Sequence, residues 1–140
     1  MNQPGRKQTQ EQVIHRITEA FNTGDTEIID DLVAEHDDVE KTPMPGTSRD
    51  RVGLKLKVQH VRQAFPDGRF TIEKIEQDGD TVTFTWRLEG THRGRFIDKR
   101  PTNRRVSFRG QDRVRFENGK IVEHHSLDNK GGLLDRNALR

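Results

Sequence analysis

The stretch VSFRGQDRVRFENGKIVEHHSLD, residues 106–128, decides the fold of this chain. At its centre, Asn118 and Gly119 form a dipeptide typical of a two-residue type I′ turn, which joins two antiparallel strands. Apolar and polar residues alternate from Val106 to Phe116, and this period of two indicates a strand with one buried face. Residues 120–128 return as the second strand. The sequence therefore predicts a β-hairpin whose register is set by its tight turn.

Ionisable residues share the apolar face of this predicted hairpin. If the ladder continues from the turn without interruption, Asp112 lies directly opposite His125, and Glu123 points to the same side. Burying charged groups is costly unless they find partners, so this face should hold a site or a satisfied pair. An imidazole oriented by a carboxylate is what a general base requires. The alternative is a structural Asp–His pair that only holds two strands together.

A second strand over residues 81–92 extends this apolar face. Its alternation places His92 on the same side as Trp86. The large apolar residues of the two strands are expected to form the wall of a pocket or the core: Trp86, Phe84, Leu88, Phe108 and Val114.

The N-terminal half has helical periodicity instead. Apolar spacing predicts helices at about residues 10–23, after a cap at Asp25 or Thr26, and from about Asp50 to Pro66, and period two begins again at Arg69. Helices followed by a run of antiparallel strands indicate an α+β fold with the helices on one face of the sheet. We expect a flexible N-terminus over residues 1–8 and a single domain over 9–140.

Composition excludes several classes of protein. The chain has 140 residues, a net charge of +2 and no cysteine, which excludes disulfides and thiolate metal sites. It has no apolar run of the roughly 18 residues that a membrane span needs, and no apolar stretch near its start that resembles a secretory signal. These features predict a cytoplasmic protein. With only 29% hydrophobic residues, we expect a second subunit to bury additional apolar surface, most simply in a homodimer.

Two further kinds of site are weakly indicated. His92, His125, Asp112 and Glu123 are metal-ligand residue types, but no recognised ligand spacing is present, so we expect no metal. The segment 93–115 contains nine arginines and lysines against two aspartates, which could attract nucleic acid or an anionic ligand. It lacks interleaved aromatic residues for stacking bases, so a solvated or subunit-facing charged surface is favoured over nucleic-acid binding.

Several short motifs resemble one family. Their order matches the SnoaL-like polyketide cyclases of the nuclear-transport-factor-2-like (NTF2-like) superfamily from about residue 13 to 135. The matching segments are FNTGD (21–25), TPMPG (42–46), FPD (65–67), GTHRGRF (90–96), PT (101–102), GKIVEH (119–124) and GLL (132–134).

The resemblance implies a cone-shaped fold, in which a curved antiparallel sheet wraps around the N-terminal helices and encloses an apolar pocket. It also implies dimers or tetramers, and ring closure of a small hydrophobic carbonyl compound by intramolecular aldol condensation. In that chemistry a carboxylate is the acid and base, and no metal or cofactor is needed. The chain departs from the family pattern at His125, where tryptophan is usual, at Asn129, where aspartate is frequent, and at Lys41, where histidine is frequent.

The resulting hypothesis is cofactor-free proton transfer next to a carbonyl, leading to cyclisation or isomerisation. His125 would be the base, Asp112 would orient it, and His92 would donate a hydrogen bond to the developing oxyanion. Glu123 would be a reserve acid or base. The alternative is a non-catalytic ligand-binding or dimerisation module of the same fold, since this superfamily hosts many activities.

Overall fold

The computed structural model describes residues 8–128, and its elements follow the predicted order of three helices and four strands. The predicted loose start through residue 7, Asn129 and the motif at 132–134 lie outside the described residues. The elements are α1 (Gln10–Thr23), α2 (Glu27–Leu32), α3 (Arg51–Ala64), β1 (Arg69–Asp78), β2 (Thr81–Thr91), β3 (Arg105–Glu117) and β4 (Lys120–Asp128). The predicted α+β class is confirmed.

The two long helices begin at side-chain caps. The Thr9 hydroxyl accepts a hydrogen bond from the amide of Gln12, whose side chain accepts one in return from the Thr9 amide. Asp50 likewise accepts from the amide of Gly53 at the start of α3. Helix α3 ends just before Pro66, which cannot continue the helical hydrogen bonding. Its buried residues include one lysine, Lys57.

The strands form one antiparallel sheet in the order β1-β2-β3-β4. Strands β2 and β3 pair without interruption, and one side chain in two is buried along each, as the alternation predicts. This buried face and the helices enclose one hydrophobic core, to which each helix contributes residues. The Asn118–Gly119 turn has positive φ at both residues, which confirms the type I′ prediction.

The predicted register of β4 is wrong beyond its first two pairs. Phe116 lies opposite Ile121 as expected, but the next residue of β3, Arg115, lies opposite Glu123. Val122 is therefore an extra residue, a β-bulge, and the side chains of residues 123–126 change face, up to a second register shift opposite Gln111 and Asp112. Such a one-residue shift moves a strand's whole set of side chains from one side of the sheet to the other.

The bulge follows from packing that involves residues far away in the sequence. Ile121 and Val122 are both buried, which a regular strand with only one covered face does not allow for consecutive residues. Ile121 also makes a bridge to Val33 at the end of α2, and its carbonyl accepts a hydrogen bond from the amide of Ala34. Burial of two adjacent apolar side chains thus determines which histidine of β4 faces the core.

Candidate active site

A buried chain of charged groups crosses the inner face of the sheet. The Nδ1 atom of His124 lies 2.6 Å from Oε2 of Glu40, and its Nε2 atom lies 2.7 Å from Oδ2 of Asp112. The indole Nε1 of Trp86 donates to Oδ1 of Asp112 at 3.1 Å. We call Glu40, His124 and Asp112 the buried triad. The His124–Asp112 bond joins the two strands of the β3–β4 hairpin, whereas the His124–Glu40 bond joins residues 84 apart, so the triad exists only in the folded chain.

The backbone places each member of the triad. Lys41 donates its amide to the carbonyl of His124, and the amide of His124 donates to the carbonyl of Val39. These two bonds clamp the segment that carries Glu40 against β4 beyond the bulge.

Gly110 makes room for the tryptophan that completes the network. Gly110 lies opposite Trp86 in the β2–β3 ladder, and a Cβ atom there would lie 2.3 Å from Cζ2 of the indole. The missing side chain lets the ring lie across β3 and reach Asp112.

The charges of the triad stabilise one another. Burial alone lowers the pKa of His124, but the charges of Glu40 and Asp112 and the hydrogen bonds to both outweigh it and raise the pKa to about 10. Burial alone raises the pKa of Glu40, but the charge and hydrogen bond of His124 and the charge of Lys57 outweigh it and lower the pKa to about 2. At neutral pH, His124 is therefore an imidazolium that donates from both nitrogens.

The triad has an inner and an outer end. The side chain of Glu40 is 1% exposed, whereas those of His124 and Asp112 are 12% and 13% exposed. Asp112 and His124 are therefore the members of the triad that solvent reaches. Each oxygen of Asp112 accepts one hydrogen bond from the described residues, which leaves lone pairs that can take a proton.

The structure does not bring His125 and Glu123 to this site, because the bulge turns both to the outer face. His125 lies opposite Arg113 in the ladder, and its Nε2 is 3.7 Å from Oε1 of Glu123. Glu123 accepts a short hydrogen bond from the guanidinium of Arg115. The predicted pairing of His125 with Asp112 is therefore wrong, since Asp112 lies opposite Ser126.

His92 lies in a different part of the core from Asp112. It follows β2, eight residues beyond Phe84, the strand partner of Asp112. Its ring packs against Phe65 with a centroid separation of 5.5 Å. The backbone amide of Thr102 donates to Nδ1 of His92 at 3.3 Å, which holds the ring to the loop between β2 and β3. This placement separates the predicted oxyanion donor from the triad.

The residues predicted as pocket wall or core are all buried within the hydrophobic core. A separate cleft of about 470 Å³ lies between α3 and two loops, and none of these core residues lines it. It is lined by Met44, Pro45, Thr47, Leu56, Gln59, His60, Gln63, Ile97 and Asp98. The buried residues that the sequence predicted as pocket wall or core are Trp86, Phe84, Leu88, Phe108 and Val114.

Sequence reasoning missed two members of the triad, Glu40 and His124. The adjacent apolar residues Ile121 and Val122 break the period of two, and this break was the available signal for a bulge and hence for His124. Glu40 carries no local signal, because it lies in an irregular segment and its role depends on a partner 84 residues away.

Part of the basic segment at 93–115 is neutralised on the outer surface. Arg109 donates a bidentate pair of hydrogen bonds to Glu73, and Arg105 forms an ion pair with Asp67. These pairs favour the charged-surface interpretation. Within residues 8–128, no group of three or more histidine, aspartate or glutamate side chains is arranged to hold a metal ion. In the same range, no helix has the length and apolar character to cross a membrane.

A family model decides the relationship of this chain to known proteins. The model of the SnoaL-like polyketide cyclases matches residues 11–136. The chain belongs to the SnoaL-like polyketide cyclase family. Its three helices and four-stranded antiparallel sheet are the NTF2-like α+β cone that the motifs implied. No protein of curated function matches this SnoaL-like chain in sequence.

Solved structures support the same assignment. IdmH of Streptomyces antibioticus, a candidate polyketide cyclase, is 34% identical with a TM-score of 0.72, over 89% of this SnoaL-like chain and 96% of IdmH. A candidate polyketide cyclase from Bacillus cereus is 26% identical with a TM-score of 0.71, over 84% of this chain and 72% of that one. TsrD of Streptomyces laurentii is 20% identical with a TM-score of 0.77, over 89% and 94%, and shows the fold alone.

Proposed function

We propose that this SnoaL-like protein catalyses cofactor-free proton transfer next to a carbonyl group of a hydrophobic, polyketide-like molecule. The product is a new ring formed by aldol addition, or an isomer of the substrate. The observation that carries the proposal is the buried triad, in which the Asp112 carboxylate keeps free lone pairs and is more exposed than Glu40. Family membership and the likeness to candidate cyclases support the same chemistry.

Asp112 is the proposed base. The imidazolium of His124 has no lone pair to offer, because both nitrogens carry protons that are donated to carboxylates. His124 is therefore a positioning residue that holds the Asp112 carboxylate in place and supplies a compensating charge. This proposal replaces the roles suggested for His125 and Glu123, which lie on the outer face.

The proposed reaction needs no external reagent. Asp112 removes a proton from the carbon next to a carbonyl, the C–H bond breaks, and its electron pair forms an enolate. The enolate carbon attacks a second carbonyl of the same molecule and forms the new C–C bond. The resulting alkoxide takes the proton back from Asp112, so the carboxylate is regenerated and all atoms and charges balance.

The decisive experiment compares two neighbouring histidines. Exchange of α-hydrogen for deuterium in a polycyclic 1,3-diketone is followed by NMR with purified wild type, Asp112→Asn, His124→Gln and His125→Gln. We expect Asp112→Asn to slow exchange by about 10²- to 10⁴-fold and His124→Gln by about ten-fold or more. His125→Gln is the matched control and should retain the wild-type rate, because that side chain faces outward.

The alternative function is a ligand-binding module without catalysis. Its specific support is that the triad is satisfied internally, as a purely structural network also is. If the wild type exchanges no faster than buffer, or Asp112→Asn exchanges as fast as the wild type, the catalytic proposal is wrong. Melting temperatures of all four proteins show whether each variant is folded, and Trp86→Phe offers a milder change at the same carboxylate.

A further inference from the structure

Lys57 is a largely buried cation with a charged neighbour but no hydrogen bond among the described residues. It lies on the inner side of α3, and its side chain is 7% exposed. Its Nζ atom is 3.7 Å from Oε2 of Glu40, the same oxygen that accepts from His124. This separation is too long for a hydrogen bond. Within residues 8–128, the ammonium makes no hydrogen bond at all.

The Lys57 ammonium is not among the fully buried unpartnered polar atoms of residues 8–128, so water or the oxygen of a bound molecule can reach it. An ammonium group carries three N–H donors and is strongly hydrated, so its removal from water is costly unless acceptors replace the water. Lys55, two residues earlier on the same helix, shows the ordinary arrangement. It is more exposed, and its Nζ hydrogen-bonds to Asp30 at 2.9 Å. Lys57 therefore keeps its donors available for an oxygen that the chain from 8 to 128 does not supply.

The other donors around the triad are already committed. Both nitrogens of His124 donate to carboxylates, and the indole of Trp86 donates to Asp112. Among the side chains of this network, Lys57 is thus the group that can still donate to a bound molecule. It shares Glu40 Oε2 with the imidazole, which places its charge beside the triad.

We propose that Lys57 binds the carbonyl oxygen of the substrate and stabilises the negative charge that forms there when Asp112 takes the proton. This inference rests on the proposed function and specifies the ligand as an enolisable ketone that binds as its enolate. When the C–H bond breaks, the proton moves to Asp112 and the electron pair forms the enolate, whose oxygen accepts from the ammonium.

The charge count supports this role. Before the reaction, the cations of Lys57 and His124 balance the carboxylates of Glu40 and Asp112. After proton transfer, Asp112 is neutral and the enolate carries the negative charge, so the buried network remains balanced. A site built in this way avoids the cost of creating an uncompensated charge in the protein interior.

A phenol is a suitable probe, because its anion resembles an enolate and absorbs light differently from its neutral form. 4-Nitrophenol is titrated with wild type, Lys57→Met and Lys55→Met, and absorbance gives the ionised fraction of the bound probe. We expect the wild type to bind 4-nitrophenolate in preference to 4-nitrophenol. Lys57→Met should bind the anion about ten- to hundred-fold more weakly, whereas Lys55→Met, the matched control, should bind as the wild type does.

Two further measurements separate this inference from the proposed function. Asp112→Asn mimics the protonated carboxyl and should bind 4-nitrophenolate at least as tightly as the wild type, even though it has lost exchange activity. If Lys57→Met does not fold, the ammonium NMR signal of Lys57 in the wild type should move when the probe is added. Equal affinity of Lys57→Met and wild type, an unmoved signal, or no preference for the anion would show that Lys57 binds water only.

Discussion

At the residue scale, the protonation of His124 is the feature on which the chemistry depends. The side chain of an isolated histidine is mostly uncharged at physiological pH, but two carboxylates within 2.7 Å keep that of His124 protonated. The consequence is a change of role, because an imidazolium can orient and stabilise a carboxylate but cannot accept a proton from a substrate. The adjacent His125 has the same side chain but lies on the outer face of the sheet, opposite Arg113.

The triad predicts how stability depends on pH. The pKa of His124 is raised from 6.5 to about 10, so its contribution is complete below 6.5 and is lost as pH rises through about 10. The pKa of Glu40 is lowered from 4.5 to about 2, so its contribution is complete above 4.5 and is lost as pH falls through about 2. We therefore expect the free energy of unfolding to be highest between about pH 4.5 and 6.5.

Urea unfolding at a series of pH values tests this dependence. The wild type should lose on the order of a few kcal/mol between pH 6.5 and 10, and His124→Gln should lose much less over the same interval. His125→Gln should follow the wild-type curve, because it leaves the triad intact. A wild-type alkaline slope that persists in His124→Gln would assign the effect to other groups.

At the element scale, the bulge in β4 decides which side chains reach the interior. Local alternation predicts a regular hairpin and places Val122 on the outer face. In the structure, Val122 is buried, and the side chains of residues 123–126 are inverted relative to that prediction. One inserted residue thus exchanges His125 for His124 at the inner face.

Replacement of Val122 by lysine tests the bulge directly. Because Val122 is buried, we expect Val122→Lys to lower the free energy of unfolding by about 2 to 4 kcal/mol. His125→Lys, three residues later on the outer face, should cost less than about 0.5 kcal/mol. Urea unfolding of both variants gives the comparison, and a well-tolerated Val122→Lys would favour the regular register.

At the scale of the whole molecule, a modest core has to accommodate four charges. The core lies between the helices and one face of the sheet, and the network of Lys57 and the triad occupies part of that interior. The opposite face of the sheet carries paired charges such as Arg109 with Glu73.

We predict that the protein is a homodimer in solution. The small apolar fraction of the chain makes additional burial between subunits favourable. Light scattering after size-exclusion chromatography should give twice the chain mass of 16.2 kDa. A single species at 16.2 kDa over a range of concentrations would contradict the prediction, and a mass four times the chain mass would indicate a tetramer.

The sequence by itself determined the order and type of the elements, the turn at Asn118 and Gly119, the buried faces of β2 and β3, and the family. These features depend on periodicity, caps and turn residues within short windows of chain. Asp112 was also identifiable, because a carboxylate on an apolar face is conspicuous in an alternating strand.

Only the tertiary structure decided which residues join Asp112. The bulge arises because Ile121 and Val122 both pack inward, one of them against Val33 almost ninety residues earlier. Glu40 reaches His124 from an irregular segment with no periodic pattern. A register shift and a long-range ion pair depend on the total free energy of packing and desolvation, which local patterns do not contain.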